Sequence, residues 1–476
     1  MLNRRGSYGA AIFLAASHLA GCADHSFDEA TLVLLGANVV TMQDEAVLPD
    51  HMVVMAGDRI IAVAPSEPDR LPPGAERVAM DGRYVIPGLV DAHVHVLSDA
   101  EDAIDRAFPL LVANGVTSVR DMGSEMAGVT EVRNRMATGE GTVAPHVTAG
   151  GPLLDGTLKP WYGNLPLILE DPADVPAALA DLESRGVDFF KVYDDLSPEV
   201  FRAIAREARG LGLEFAGHVP ARVALLEAVD AGQRTVEHFG FSTVRDCVEN
   251  PSEWFQRSIT AKFETGYDAY YRVVESHWDQ LDWEACAPVL AALGRAGVAF
   301  VPTLDMELND PSRFDTAAIT YMLPASRGWC TTMIGNIDSA DEALRERAYA
   351  SYLDAFRRLR ESGATVVAGS DTPNNCVVAG FSLHWELRLL VEAGLTPYSA
   401  LRAATTDAVA ATSRERLAGA IAPGFEADLV VLAGNPLADI EQTRRIEGVV
   451  LDGRWLDRGR LDDLLQRAQA AAESGS

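Results

Sequence analysis

Apolar residues in this chain come in short runs that each end on a polar residue and a loop, and between the runs the spacing changes from strand-like to helical. The runs fall near residues 85–95, 115–120, 146–149, 187–193, 213–218, 234–238, 298–304 and 364–371. Amphipathic stretches separate them. A helix is expected over 173–186 after Asp171-Pro172 and another over 198–211 after Ser197-Pro198, both opened by N-terminal start signals. Strand alternating with helix is the pattern of a mostly parallel α/β fold, and eight such strands suffice to close a (β/α)8 TIM-type barrel.

The two ends read differently. TLVLLGANVVTM and HMVVMAGDRIIAVAP near the start, and GFEADLVVLAG and RRIEGVVLDGRWL near the end, are β-rich with turn signals between them. They are expected to combine into one small β-sandwich, with residues 22–86 and 416–460 as its two parts, 87–415 as the barrel and 461–476 as a C-terminal helix and tail. One interval breaks the barrel rhythm. From His238 to the seventh run is roughly sixty residues, where a strand-helix unit needs about half that, and the stretch carries Trp254, Phe255, Phe263, Tyr267, Tyr270, Tyr271, Trp278 and Trp283. An aromatic helical insertion at about 241–296 either walls an apolar pocket over the barrel mouth or pins itself to the barrel.

Composition narrows the function classes. The chain has 476 residues and is 48% hydrophobic, enough for a large core. A formal charge of −29 excludes a nucleic-acid binder, because phosphate recognition needs clustered Lys and Arg. At the start, Arg4 and Arg5 precede a short apolar stretch that closes on Leu19-Ala20-Gly21-Cys22 and resembles a bacterial lipobox. Residues 1–21 then read as a lipoprotein signal peptide, too short for a membrane span, with lipidation at Cys22. Ala23 at the next position, by resemblance to Gram-negative lipoproteins, points to the outer membrane facing the periplasm. In that oxidising compartment Cys247, Cys286, Cys330 and Cys376 are either buried thiols or up to two disulfides, with three pairings open.

The chemistry lies where the runs end. His93 and His95, two apart on one strand, project to one side and can reach one cation. Lys191, His218, His238 and Asp371 close later runs, at the C-terminal mouth where such barrels build their sites. Lys191 is one of only three lysines, and burial at a strand end favours its neutral amine. That amine can add carbon dioxide to give a carbamate able to bridge two divalent ions; otherwise Lys191 snorkels to the mouth or pairs with Asp194 or Asp195. Asp371 is the expected catalytic residue, a ligand that also accepts a proton from water. Glu237, beside His238, should point to the opposite face of its strand. Tyr193 and Arg222 on mouth loops, and His146 at the end of strand three, are candidates for substrate contact, with surface or core roles as alternatives. His384 and Glu386 either support the site from behind or are exposed helix residues.

With those positions assigned, the segments YVIPGLVDAHVH, DFFKVYDD, FAGHVP, DAGQRTVEHFG, GSDTP, EAGLTPYSALRAAT and PGFEADLVVL resemble the amidohydrolase superfamily, specifically the imidazolonepropionase-like branch with metal-dependent Xaa-Pro dipeptidases. The resemblance spans roughly residues 30–460. It implies two divalent metal ions: His93, His95, Lys191 and Asp371 around one, and Lys191, His218 and His238 around the other, with a bridging hydroxide that attacks an amide, dipeptide, N-acyl amino acid or carbamate C–N bond. Imidazole and carboxylate ligands suit zinc, and manganese, cobalt or iron would fit. The expected partner is a small molecule, and a homo-oligomer is left open. A lactonase or phosphotriesterase on the same metal pair is the first alternative, and a non-catalytic ligand-binding lipoprotein the second.

Overall fold

The fold is that of a computed structural model, which describes residues 27–138, 143–157, 165–238, 266–279, 282–308, 316–413 and 416–475. The signal stretch, Cys22, Cys247, Trp254, Phe255 and Phe263 lie outside the described residues, as do the side chains of Tyr267 and Trp278. The first described strands form an open sheet. Strand β1 (Leu32–Val40) pairs antiparallel with β2 (Val47–Ala56), and β2 with β3 (Arg59–Pro65). On its other edge β1 takes β4 (Glu76–Ala79) and β5 (Tyr84–Pro87) in parallel. The run expected as one strand over 85–95 is therefore two, divided at Gly88. A Cβ there would overlap the Thr117 side chain, so only glycine lets the chain leave one sheet and enter the next.

Eight parallel strands then ring the barrel: β6 (Leu89–Val94), β7 (Val116–Asp121), β8 (His146–Ala149), β11 (Phe189–Val192), β12 (Glu214–Gly217), β13 (Thr235–Glu237), β14 (Ala299–Val301) and β15 (Thr365–Val366). Two short strands, β9 (Leu153–Asp155) and β10 (Pro166–Ile168), come between the third and fourth of these. Gly150-Gly151-Pro152 breaks the third run, so β8 pairs with β7 while β9 pairs with β11. The ring closes between its ends, where Ala92 N–H donates to Ala368 O at 3.1 Å and His95 N–H to Thr372 O at 2.7 Å.

Around the ring, Phe108, Phe190, Phe201, Phe300 and Phe356 are fully buried in one continuous core. The helix Pro198–Leu211 begins as expected, with Ser197 Oγ accepting from Val200 N–H at 3.2 Å. The other expected helix starts later, at Val175, because Asp171 Oδ1 instead accepts from Ala173 N–H at 2.9 Å and makes a turn. Of the aromatic insertion, the helix Tyr267–Asp279 packs on the helix Glu342–Glu361, and Tyr271 is buried in the main core. Tyr270 and Tyr271 line a small cavity with Glu307, Tyr349 and Tyr352, and Trp283 packs against the main core.

The chain returns through β16 (Leu429–Leu432), β17 (Ile446–Leu451) and β18 (Arg454–Asp457), with β16 antiparallel to β5. The termini so build one hydrogen-bonded eight-stranded sheet, and Leu32, Leu34, Val53, Leu429, Val431 and Val450 share one apolar cluster on it. No described helix is long and apolar enough to cross a membrane.

His146 corrects an expectation. It opens β8 instead of ending it, so it sits at the end of the strand opposite the mouth, and its Nε2 lies 2.9 Å from Asp428 Oδ2 and 3.3 Å from Asp452 Oδ1. Arg416 bonds Glu426 through two nitrogens and lies 3.7 Å from Asp428. The cluster is an ion-pair clamp between barrel and sheet. Burial opposes charge on His146, but the bonds to Asp428 and Asp452 outweigh it and raise its pKa from 6.5 to about 9. A raised folded-state pKa stabilises the protein fully below 6.5, and that stability fades as pH climbs through about 9. The melting-temperature gap between wild type and His146→Gln should be widest at pH 6 and close above pH 9; a gap independent of pH would rule out the charged clamp.

Candidate functional site

Six side chains predicted from scattered stretches meet at the C-terminal end of the barrel strands. His93 lies within β6 and His95 one residue beyond it; Lys191 lies within β11; His218 and His238 follow the last residues of β12 and β13. Asp371 comes five residues after β15, on a segment still bonded to β6 through Asp371 N–H to His93 O at 2.7 Å. His93 Nε2 and His95 Nε2 are 3.3 Å apart, and both face Asp371 Oδ1, at 3.4 and 3.2 Å. His238 Nε2 faces Asp371 Oδ2 at 3.8 Å, and the His218 and His238 rings meet edge to face at 4.7 Å.

What aims the imidazoles is an acceptor behind each one. His93 Nδ1 lies 2.8 Å from Glu237 Oε2, His95 Nδ1 2.8 Å from Gly123 O, His218 Nδ1 2.6 Å from Asp194 Oδ1 and His238 Nδ1 2.8 Å from Thr303 Oγ1. Carboxylates and a carbonyl only accept, so in the neutral rings of His93, His95 and His218 the hydrogen sits on Nδ1 and the lone pair on Nε2. Burial keeps the rings neutral at His93 and His238, whose pKa values fall well below 6.5, and lowers that of His218 against the pull of Asp194. His95 differs. Burial pulls its pKa down, but the bond to Asp371 and that carboxylate's charge raise it.

Lys191 is fully buried, and among the described residues its Nζ has no hydrogen-bond partner. Its charge acts on all four imidazoles and on Asp371. Burial lowers its pKa from 10.5 to about 8, partly offset by Glu237 and Asp371. An unpartnered buried ammonium costs several kcal/mol, roughly, so burial shifts Lys191 toward the neutral amine, whose share grows as pH rises toward about 8. The donor set fits a metal centre on that ground and on its chemistry: imidazole nitrogens with aligned lone pairs beside carboxylate oxygen. His93, His95 and Asp371 present ligand atoms that all lie within 4.8 Å of one another.

The remaining expectations sort by position. Tyr193 lies in the site, its ring 4.2 Å from that of His218 and its centroid 5.9 Å from Lys191 Nζ. Arg222 is exposed on the loop after His218, with Nη2 donating to Asp195 O at 2.8 Å. Glu237 does not turn away. His238 has a φ of +64°, outside strand geometry, so strict alternation fails and both Glu237 and His238 reach inward. Asp371 has a similar φ of +63°. His384 and Glu386 are both buried: His384 bridges Asn114 O and Thr443 Oγ1, and Glu386 Oε2 accepts from Asp305 N–H at 3.0 Å.

Other contributors were missed. Asn374 Nδ2 donates to Asp371 Oδ1 at 2.7 Å, and Asp91 accepts from Ser370 N–H and Oγ–H at 2.9 and 2.6 Å, fastening β6 to the Asp371 segment. Arg120 in TSVRD, a charge within an apolar run, was a readable signal; Thr303 carried none. Cys376, five residues after Asp371, forms a disulfide with Cys330 of the helix Pro324–Asp338, and Cys286 is also disulfide-bonded. Gly217, ahead of His218, has a φ of +136°, and a Cβ there would overlap Val192 O and press on Lys191 Cδ at 2.9 Å.

Similar proteins carry related descriptions. The family model described as "Amidohydrolase family" matches residues 84–456. Ochratoxinase of Aspergillus niger is 23% identical over 87% of this chain and 84% of its own, and imidazolonepropionase of Porphyromonas gingivalis is 25% identical over 81% and 82%. Among solved structures, bottromycin amidohydrolase superposes with a TM-score of 0.70 at 27% identity, covering 92% of this chain and 90% of that one. A prolidase complexed with N-methylphosphonate-L-proline has the same fold, with a TM-score of 0.61 at 22% identity over 90% and 99%.

Gly217→Ala should lower the unfolding midpoint in a denaturant titration, by about 1–3 kcal/mol for the strained backbone alone. An unchanged midpoint would show that the approach of β12 to Lys191 is not tight.

Proposed function

We propose that this chain, which belongs to the amidohydrolase family, is a metal-dependent hydrolase of a small-molecule C–N bond: an amide, dipeptide, N-acyl amino acid or carbamate. The observation that carries this reading is the buried Lys191 amine, without a hydrogen-bond partner among the described residues, set among four imidazoles whose Nδ1 atoms are all engaged from behind. His93, His95 and Asp371 would hold one divalent cation and His218 and His238 the other, with Lys191 between them; zinc suits the ligands. When bound, the cations would polarise the scissile carbonyl and acidify the attacking water.

The side chains divide the remaining work. In this reading Lys191 Nζ, as the neutral amine, bonds to the carbon of carbon dioxide and releases one proton to solvent, giving a carbamate anion with two oxygens where the amine stood. Asp371 Oδ1 is held by Asn374 and faces His93 and His95, which leaves Oδ2 to take the proton of the attacking water and return it to the leaving nitrogen. The His95 bond and nearby positive charges, outweighing burial, lower the Asp371 pKa, so the carboxylate starts as a base. Tyr193, whose ring lies tilted against that of His218, would donate to the substrate carbonyl. The lipobox at Cys22 and the Cys330–Cys376 disulfide support an exported, lipid-anchored enzyme in an oxidising envelope compartment.

Zinc-reconstituted protein should turn over members of a panel of dipeptides and N-acyl amino acids, and Asp371→Asn should abolish that turnover while leaving some metal bound. Hydrolysis confined to lactones or aryl phosphotriesters would replace the C–N reading. After chelation, zinc with bicarbonate should restore activity better than zinc alone in degassed buffer; full recovery without carbon dioxide would refute the lysine carbamate.

A further inference from the structure

The four acceptors behind the imidazoles are unequal. Thr303 offers His238 a hydroxyl, Gly123 offers His95 a backbone carbonyl, and Asp194, behind His218, is 22% exposed. Glu237, behind His93, is fully buried and is paired with a buried cation. That cation is Arg120 of β7, itself 2% exposed. Its Nη2 donates to Glu237 Oε1 at 2.9 Å, its Nη1 to Thr235 Oγ1 at 2.9 Å and its Nε to Ala92 O at 2.7 Å, and the guanidinium lies 5.6 Å from the Phe189 ring centroid. Thr235 Oγ–H donates to Glu237 Oε1 as well. One planar fork on β7 thus ties together groups on β6 and β13 inside the barrel and rests on Phe189 of β11.

From this we infer that Arg120, acting through Glu237, is a positioning residue that makes the His93–His95–Asp371 end of the centre the tighter of two unequal cation sites. The inference rests on the metal-dependent reading above. A fixed carboxylate behind an imidazole aims the ring and raises its basicity, and losing such a partner typically weakens metal binding by about 10–100-fold. Arginine suits the task because its planar donors hold a carboxylate in one orientation without closing off the second oxygen, which here is left for His93.

Competition between chelated protein and a chromophoric chelator for zinc tests this without turnover. Wild type should bind two equivalents of different affinity. Glu237→Gln should weaken the tighter one by about 10–100-fold and leave the weaker in place, whereas Thr303→Val should weaken only the weaker. Arg120→Met should act like Glu237→Gln. If that variant fails to fold with a charge left unpaired, the neutral and nearly isosteric Glu237→Gln still decides, with its folding checked by circular dichroism. A merely structural pair would lower the melting temperature of the chelated protein and leave both zinc affinities unchanged, which would overturn the inference, as would equal weakening of both equivalents. Wild type with one equivalent would remove the metal pair from the proposed function, and the effect of Glu237→Gln on that equivalent would still test Arg120. No zinc binding at all would overturn both.

Discussion

An imidazole can direct its lone pair at a chosen point only when its other nitrogen is held, and the barrel mouth is built around that constraint. Each of His93, His95, His218 and His238 has an oxygen at its Nδ1, supplied by a different element: the end of β13, the loop after β7, the loop after β11 and the segment after β14. Three of the acceptors follow a strand next to the one that carries the imidazole, Glu237 reaches His93 from across the ring, and none comes from the imidazole's own strand. The barrel must therefore close before the histidines are aimed, and no single strand-helix unit could form this site alone.

The same arrangement accounts for the unusual backbone. His238 and Asp371 both sit at positive φ beyond their strands, which costs roughly 1–3 kcal/mol each, and in both places the turn brings a side chain toward the shared centre. The bonds of Asp91 to Ser370 and of Asp371 N–H to His93 O hold the second of these turns against β6. Burial supplies the electrostatics. It lowers the pKa values of His93, His218, His238 and Lys191, while the bond with His95 holds that of Asp371 down against burial. Membership of the amidohydrolase family fits this centre.

The sequence reading succeeded where a signal is local and failed where it depends on what a strand faces. The eight strands were legible because each is a short apolar run, and five of the six site residues fall within two residues of a strand end. Glu237 was misread because alternation was carried through a residue that is not in strand conformation. His146 was misread because an apolar run does not show which of its polar neighbours begins it; the salt partners Asp428 and Asp452 lie far away in sequence. His384 and Glu386 looked ambiguous on a helix whose buried side could not be assigned before its neighbours were known.

Period and punctuation along the chain determined the barrel, the companion sheet and the identity of the six polar residues at the mouth, because side-chain spacing and loop position are properties of consecutive residues. Tertiary structure alone decided which nitrogen of each imidazole faces inward, that Lys191 lacks a hydrogen-bond partner among the described residues, and that Arg120 and Glu237 stand behind His93. Those facts depend on contacts between residues from 24 to 144 positions apart, and a linear pattern does not encode which distant groups the closing of a barrel will bring within hydrogen-bond reach.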